Sequence, residues 1–247
     1  MKIIYYYQTF CGLDNIINDP NNNVTHIHLS SIHFDIDEIH LNDNSPYSSI
    51  YNNLWTELET VALKKNIDVI LMVGGAGGAY EQLFEDFEKY YKMLADLIKN
   101  KPMIKGVDLD IEESVDINNV VKLINRLKND FGKDFIISMA PIESSMETDN
   151  EGMGGFIYKD LYNKIGNNID YFNVQCYYDY SVDTFDNIIN NGYLPEKINM
   201  GMMSYQFNKK IPPMIKKLRV KYPKFGGIFD WELNDSVKEW NHLMVSG

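Results

Sequence analysis

Cysteine is almost absent. The two present in 247 residues, Cys11 and Cys176, cannot build a disulfide framework, and they form no Cys-x-x-Cys pair for redox or zinc chemistry. Both are expected to be free thiols. Long apolar runs are missing too. None reaches ten residues, against the about 20 that a membrane-spanning helix needs. Basic residues are in deficit, with 23 Lys and Arg against 35 Asp and Glu, a net charge of −12. That balance removes the basic face that nucleic acid or an anionic membrane would require. The stretch after Met1 lacks the apolar core and small-residue cleavage site of an export leader. If Met1 is the native start, the protein is expected in the cytoplasm. Had a leader been trimmed it would be secreted, and only then would the sequons at Asn23 and Asn234 matter. No Pro/Gly/Ser-rich linker divides the chain, which reads as one domain over 1–247, large enough for a core without staples.

What recurs is a strand-like apolar run followed by a helix-like amphipathic one. Eight runs read as strands: Ile3–Gln8, Thr25–Phe34, Asp68–Val73, Ile104–Ile111, Phe135–Ala140, Tyr171–Tyr177, Ile198–Met203 and Phe225–Trp231. Between them, Tyr51, Leu54, Leu58, Val61 and Ala62 recur at helical spacing. So do Tyr80 through Leu97, and Val120, Leu123, Ile124 and Leu127, the last with Ser114 or Asp116 as N-cap. Eight strands alternating with helices in about 250 residues is the count of an α/β fold closed as a single (β/α)₈ TIM barrel. An open doubly wound sheet is the rival, but Thr9-Phe10-Cys11-Gly12 is no phosphate loop. Between Met203 and Phe225 there is room for one helix and its loops, not for an added α+β insertion domain.

In such a barrel, chemistry sits at the C-terminal ends of the strands. The run Lys105-Gly106-Val107-Asp108-Leu109-Asp110-Ile111-Glu112-Glu113 ends one of them. Alternation puts Asp108, Asp110 and Glu112 on one face, each about 7 Å beyond the last, with Val107, Leu109 and Ile111 turned to the helices. A solvated acidic edge would not have such apolar alternate positions. Carboxylates can hold Mg²⁺ or Ca²⁺, but three successive same-face positions span too far to ligate one ion, and no metal is expected. The reading favoured is general acid catalysis. Glu112 lies outermost, Asp110 beneath it shares a proton or hydrogen bond and raises its pKa, and Asp108 is a buried relay.

Here the sequence resembles glycoside hydrolase family 18, the chitinase and endo-β-N-acetylglucosaminidase family. Asp108, Asp110 and Glu112 match the last three acids of its Asp-x-x-Asp-x-Asp-x-Glu motif, while Lys105 departs from the first. Met72-Val73-Gly74-Gly75 stands where the family has Ser-x-Gly-Gly, with Met72 replacing serine. Met139-Ala140-Pro141 looks like its Met-Ala-Pro, Gln175-Cys176-Tyr177 like its sixth strand, and Trp231 ends the eighth. The stretches Tyr6-Tyr7-Gln8-Thr9, Val24 to Leu29, Ile39 to Asp43, Met72 to Ala76, Asp130-Phe131-Gly132 and Asn173-Val174-Gln175 are most similar to the small single-domain fungal endo-β-N-acetylglucosaminidases.

The resemblance implies a retaining glycosidase that uses the substrate's own acetamide as nucleophile. It makes Glu112 the proton donor and then the base. Asp110 orients the acetamide, Tyr177 holds its carbonyl, and Trp231 floors the sugar site. Gln175, Met139, Gly74, Gly75 and Tyr6 are further substrate-binding candidates. No cofactor is implied. The partner is a carbohydrate, an N-glycan or a chitin oligosaccharide, and the protein is expected to be a monomer. Of the tryptophans, Trp55 and Trp240 fall in helical stretches outside the cleft, leaving no row of aromatics for crystalline chitin. The segment Ile142–Phe156 is expected to be a mobile substrate loop. Cys176 should face the helices. A glycan-binding lectin on the same fold is the non-enzymatic alternative, weakened by the presence of Glu112.

Overall fold

A computed structural model describes residues 1–246. Among these residues nine strands occur: β1 (Lys2–Tyr7), β2 (His26–Asp35), β3 (Glu38–Leu41), β4 (Asp68–Gly74), β5 (Ile104–Asp110), β6 (Ile136–Met139), β7 (Tyr171–Gln175), β8 (Ile198–Met203) and β9 (Gly227–Trp231). The α-helices are α1 (Asp14–Ile17), α2 (Asn52–Lys65), α3 (Tyr80–Glu85), α4 (Phe87–Asn100), α5 (Ile117–Phe131), α6 (Glu143–Glu147), α7 (Tyr158–Ile165), α8 (Val182–Asn190), α9 (Ile211–Lys221) and α10 (Trp240–Ser246).

The eight expected strands are all present and pair in parallel in the order β1-β9-β8-β7-β6-β5-β4-β2. Pairing of β1 with β2, Tyr5 opposite Ile27, closes the ring, so the fold is a (β/α)₈ barrel. Only α9 lies between β8 and β9, leaving no place for an insertion domain. The ninth strand, β3, was not anticipated. It is four residues long and folds back antiparallel on β2, with Phe34 opposite Ile39, too short to show an alternation of its own.

Helix α5 shows how local sequence sets the wall. Asp116 accepts from Asn118 N–H at 2.8 Å as N-cap, Val120, Leu123, Ile124 and Leu127 turn to the sheet, and Gly132 ends the helix. Burial of each such aliphatic contributes about 1.5–3 kcal/mol. The stripe from Tyr80 to Leu97 is interrupted rather than continuous. Asp86 leaves helical geometry between α3 and α4, and its carboxylate caps the second helix at Lys89 N–H, 3.3 Å. The segment 142–156 is also more ordered than its composition suggested. It carries α6, buries Met146 and Phe156, and is tied through Gly154 O to Val115 N–H at 3.0 Å.

Strand parity separates two cores. A large layer between sheet and helices takes the odd positions of β1 (Ile3, Tyr5, Tyr7) and Val107 and Leu109 of β5. Inside the ring, Ile4, Tyr6, Met72, Tyr171 and Phe229 pack together. The room for Phe229 comes from Gly201 on β8, where a Cβ would lie 1.7 Å from the phenyl ring. No helix among the described residues is long and apolar enough to cross a membrane.

Candidate active site

The inner core is polar along one side. Asp108, without exposure to solvent, accepts from Tyr6 Oη at 2.7 Å and from Ser138 Oγ at 2.5 Å. Asn173 Nδ2 lies 3.4 Å from its Oδ1 and His28 Nδ1 3.4 Å from its Oδ2. A second layer orients these groups. Asn173 also donates to Tyr6 Oη at 2.9 Å and accepts from Asn199 Nδ2 at 2.8 Å, and His28 Nε2 meets Tyr171 Oη at 3.2 Å. Burial alone would raise the Asp108 carboxyl, but His28, Ser138 and Tyr6 together hold it below the usual carboxylate value. These partners favour the ionised form of Asp108 at the bottom of the site.

Asp110, one step towards the barrel mouth, is treated in the opposite way. Burial, then the nearby Glu112 and then Asp108 push its carboxyl well above the ordinary range, offset in part by Gln175. Gln175 Nε2 donates to Asp110 Oδ1 at 3.1 Å and to Ala140 O at 2.8 Å, which fixes the amide across the strand ends. Glu112 lies just beyond the end of β5, half-buried, and burial raises its carboxyl as well. Tyr177 stands beside them. Burial and then the charges of Asp110 and Glu112 keep its hydroxyl protonated, able to donate. Trp231 closes the other side, its ring 5.2 Å from Tyr6, while Phe229 lies between Tyr6 and Tyr177 at 5.0 and 6.4 Å.

The expected residues thus fall into three groups. Asp108, Asp110, Glu112, Gln175, Tyr177, Trp231 and Tyr6 converge at the C-terminal end of the barrel. Tyr6 is buried, its hydroxyl donating to Asp108. Gly74 and Gly75 have positive φ, 95° and 87°, and bring the end of β4 against Asp110, whose carbonyl accepts from Gly75 N–H at 2.9 Å. Their close approach is to the neighbouring strand. Met139 is not part of the assembly. On β6 the parity turns Ser138 inward and leaves Met139 buried among the helix-facing residues. Cys176 faces the same layer and Cys11 is exposed, both as free thiols. Trp55 and Trp240 are buried on α2 and α10, away from the site.

Sequence reasoning missed His28, Ser138, Asn173 and Asn199. Their signal was available: each is a polar residue at an inward position between apolar neighbours in a strand. Glu113, next to Glu112, serves the scaffold, its carboxylate accepting from the N–H groups of Ala79, Tyr80 and Glu81 at the start of α3. Among the described residues no three His, Cys, Asp or Glu side chains are placed to hold a metal ion.

The class of protein, a glycosidase, is shown by what the chain is similar to. The sequence profile of glycosyl hydrolases family 18 matches residues 2–245, and the chain belongs to that family. Two fungal structures are similar over nearly the whole chain. The chitinase ChiC from Aspergillus fumigatus is 30% identical, with a TM-score of 0.89 and coverage of 96% of this chain and 92% of that one. A fungal endo-β-N-acetylglucosaminidase of the same family is 29% identical, with a TM-score of 0.89 and coverage of 99% and 96%. A family 18 chitinase from Pseudoalteromonas aurantia, 21% identical, shares the fold with a TM-score of 0.81 and coverage of 100% and 99%. Among curated proteins none matches significantly.

Proposed function

We propose that this glycosidase cleaves the β-1,4 bond between two N-acetylglucosamine units with retention, and that it is an endo-β-N-acetylglucosaminidase acting on the di-N-acetylchitobiose core of N-glycans. The observation that carries the reading is the Asp110–Glu112 pair, one carboxyl buried and the other half-buried, both raised in pKa. A carboxylic acid that keeps its proton towards neutral pH is what a glycosidic oxygen needs.

In this mechanism Glu112 gives its proton to the leaving oxygen as the acetamide oxygen of the substrate attacks C1 and the C1–O bond breaks. The product of that step is an oxazolinium ring. Asp110 orients the acetamide N–H and stabilises the positive charge that develops there. Tyr177 donates to the acetamide carbonyl and holds it near C1, and such positioning contributes several kcal/mol. Water then adds to C1, Glu112 takes its proton, and the ring reopens with the original configuration. Trp231 stacks under the sugar. Asp108 is the buried relay beneath Asp110.

The preference for a soluble glycan is supported by the shape of the mouth. No insertion deepens it, and an open cavity of about 770 Å³ lies on the same rim, lined by Gln8, Thr9, His33, Asn42 and Asn44 among others. Amide and hydroxyl groups of this kind suit sugar hydroxyls. Chitin oligomers are the second reading, favoured by the equal likeness to the Aspergillus chitinase. The two separate on products. The protein is incubated with chitotetraose and, separately, with a high-mannose glycopeptide, and the products are weighed by mass spectrometry. Release of the glycan with one N-acetylglucosamine left on the peptide supports the proposal. Cleavage of chitotetraose alone replaces it with the chitinase reading, and cleavage of neither refutes both.

A further inference from the structure

One tyrosine at the far end of a barrel strand is tied to the acids. Tyr171 is the first residue of β7, and it lies about 13 Å along that strand from Gln175, the residue bonded to Asp110. Its ring is buried in the inner core. For packing alone a phenylalanine would serve, because a buried hydroxyl is unfavourable unless it finds a partner. The partner is His28 Nε2, 3.2 Å from Tyr171 Oη. The same imidazole presents Nδ1 to Asp108 Oδ2 at 3.4 Å, and both side chains are fully buried. Tyr171, His28 and Asp108 thus form a line of three groups drawn from β7, β2 and β5.

The partners assign the protons. A carboxylate only accepts, so Nδ1 must carry a hydrogen to bond Asp108. Asn173 Nδ2 stands 3.4 Å from the same Nδ1, but it donates to Tyr6 Oη at a shorter 2.9 Å. Which ring nitrogen of a histidine is protonated is set by the bond that the other one makes. Tyr171 keeps its proton, since burial and then the Asp108 charge raise it well above the usual tyrosine value, against a smaller effect of Ser138. Its hydroxyl donates to a bare Nε2, which leaves the hydrogen on Nδ1 and turns the ring to Asp108. Of the groups that favour an ionised Asp108, His28 contributes most. The other titratable groups about the pair do not bond Nε2. On β1 these are Tyr6, its ring 4.9 Å from His28, and Lys2, its Nζ 4.6 Å over the Tyr171 ring. On β2 it is His26, which burial, then His28 and then Lys2 push down to about 3. Asp110 adjoins Asp108, and the charges of Asp170 and Asp68 act on Tyr171.

We propose that Tyr171 is a positioning residue for the reaction, acting through His28 to keep Asp108 ionised and so setting the acidic limb of the pH profile. Asp108 is the one acid of the three held below the ordinary carboxylate range, so its anion persists to the lowest pH and its loss is what that limb reports. Without the Tyr171 hydroxyl, Nε2 has no donor, Nδ1–H is no longer fixed on Asp108, and the anion is favoured less. The limb then moves to higher pH. This role rests on the acid mechanism proposed above and adds to it a residue two contacts away from Asp110.

The test follows kcat and KM against pH for wild type, Tyr171→Phe, His28→Gln and the double variant, on whichever of chitotetraose and the high-mannose glycopeptide wild type cleaves. Tyr171→Phe should move the acidic limb of kcat up by about half to one pH unit, the worth of one buried hydrogen bond, with the descending limb and KM unmoved. His28→Gln should move the limb the same way. The double variant should shift no further than His28→Gln, since Tyr171 then has nothing to act through. A tyrosine with only a structural role gives instead a fall in kcat equal at every pH. That result refutes the proposal while the function proposed above stands, as does an unmoved acidic limb, or shifts that add in the double variant. Nitrogen-15 spectra of the histidine rings give a measurement that needs no turnover. With the His28 signals assigned by their absence from His28→Gln, Nδ1 should carry the proton in wild type, and a bare Nδ1 overturns the assignment. If wild type cleaves neither saccharide, the function proposed above fails and the role of Tyr171 in it falls too.

Discussion

Asp108 and Asp110 stand two residues apart on the inner face of β5, and the protein drives their carboxyls in opposite directions. Asp108 meets His28, Ser138 and Tyr6, which outweigh the effect of its burial. Asp110 meets burial and two acidic neighbours, with only Gln175 in compensation. The strand supplies both residues with the same backbone. Four other strands supply the difference: β1 brings Tyr6, β2 brings His28, β6 brings Ser138 and β7 brings Gln175.

Glu112→Gln removes the proton donor while keeping its shape. Turnover should fall by roughly 10²- to 10⁴-fold, the usual contribution of a general acid. Binding of the saccharide, followed by titration calorimetry, should persist. A variant that still turns over would place the donor elsewhere.

The active form carries a proton on Glu112, whose pKa is raised first of all by burial. Activity should therefore be lost as pH rises through that raised value. The charge of Glu112 is among the causes that raise Asp110, whereas Glu112 itself is raised by burial and eased by Gln175. Asp110→Asn should therefore lower the maximum rate and leave the descending limb where wild type has it, and a limb that moves to lower pH would show that the charge of Asp110 holds the Glu112 proton.

Asp230 gives a separate test in stability. It precedes Trp231 but faces the helices, where Ser204 Oγ donates to its Oδ1 at 3.0 Å and its Oδ2 has no partner. Burial raises its pKa to about 7. A raised carboxyl contributes its full stability below the unfolded value near 4, and this is lost as pH climbs to about 7. Asp230→Asn should remove the slope. Thermal melts should then show the variant gaining relative to wild type between pH 4 and 7, by on the order of 2–4 kcal/mol at the upper end. Parallel stability curves would count against it.

Ser138→Ala takes a 2.5 Å hydrogen bond from a carboxylate with no access to water. The cost should be about 1–3 kcal/mol in urea unfolding. Because Asp108 then loses one of the groups that hold it ionised, the pH profile should shift too. No change in either measurement would mean that the contact is dispensable.

Gly74→Ala probes the approach of β4 to the site. Its φ is 95°, and an added Cβ would sit 2.3 Å from Asp110 O. The methyl cannot be accommodated without moving the strand that carries the acid. Both stability and turnover should fall, the former by more than about 1 kcal/mol. A variant as stable and active as wild type would show that β4 and β5 can separate there at no cost.

Alternation along β5 was readable from residues alone, and it placed Asp108 and Asp110 inside the ring before any coordinates. Strand number, chain direction and the helical stripes were equally legible, because each follows from a period of 2 or 3.6 in one short window. Besides the inward polar residues His28, Asn173 and Asn199, three features escaped. Strand β3 is too short to show a period. The break at Asp86 lies inside an apolar stripe that continues past it, and there Asp86 leaves helical geometry to cap the second helix. The Met-Ala-Pro likeness drew attention to Met139, while parity gives the inward place to Ser138.

By itself, then, the chain determined a closed ring of strands with acids at one end, since burial of alternate faces is a local property. Only tertiary structure decided what those acids are. The protonation of Asp108, Asp110 and Glu112 depends on His28, Ser138, Gln175 and Tyr6, residues from 30 to 102 positions away wherever a bond is measured. Electrostatic free energy in a buried site is set by neighbours in space, and the closing of the ring chooses those neighbours.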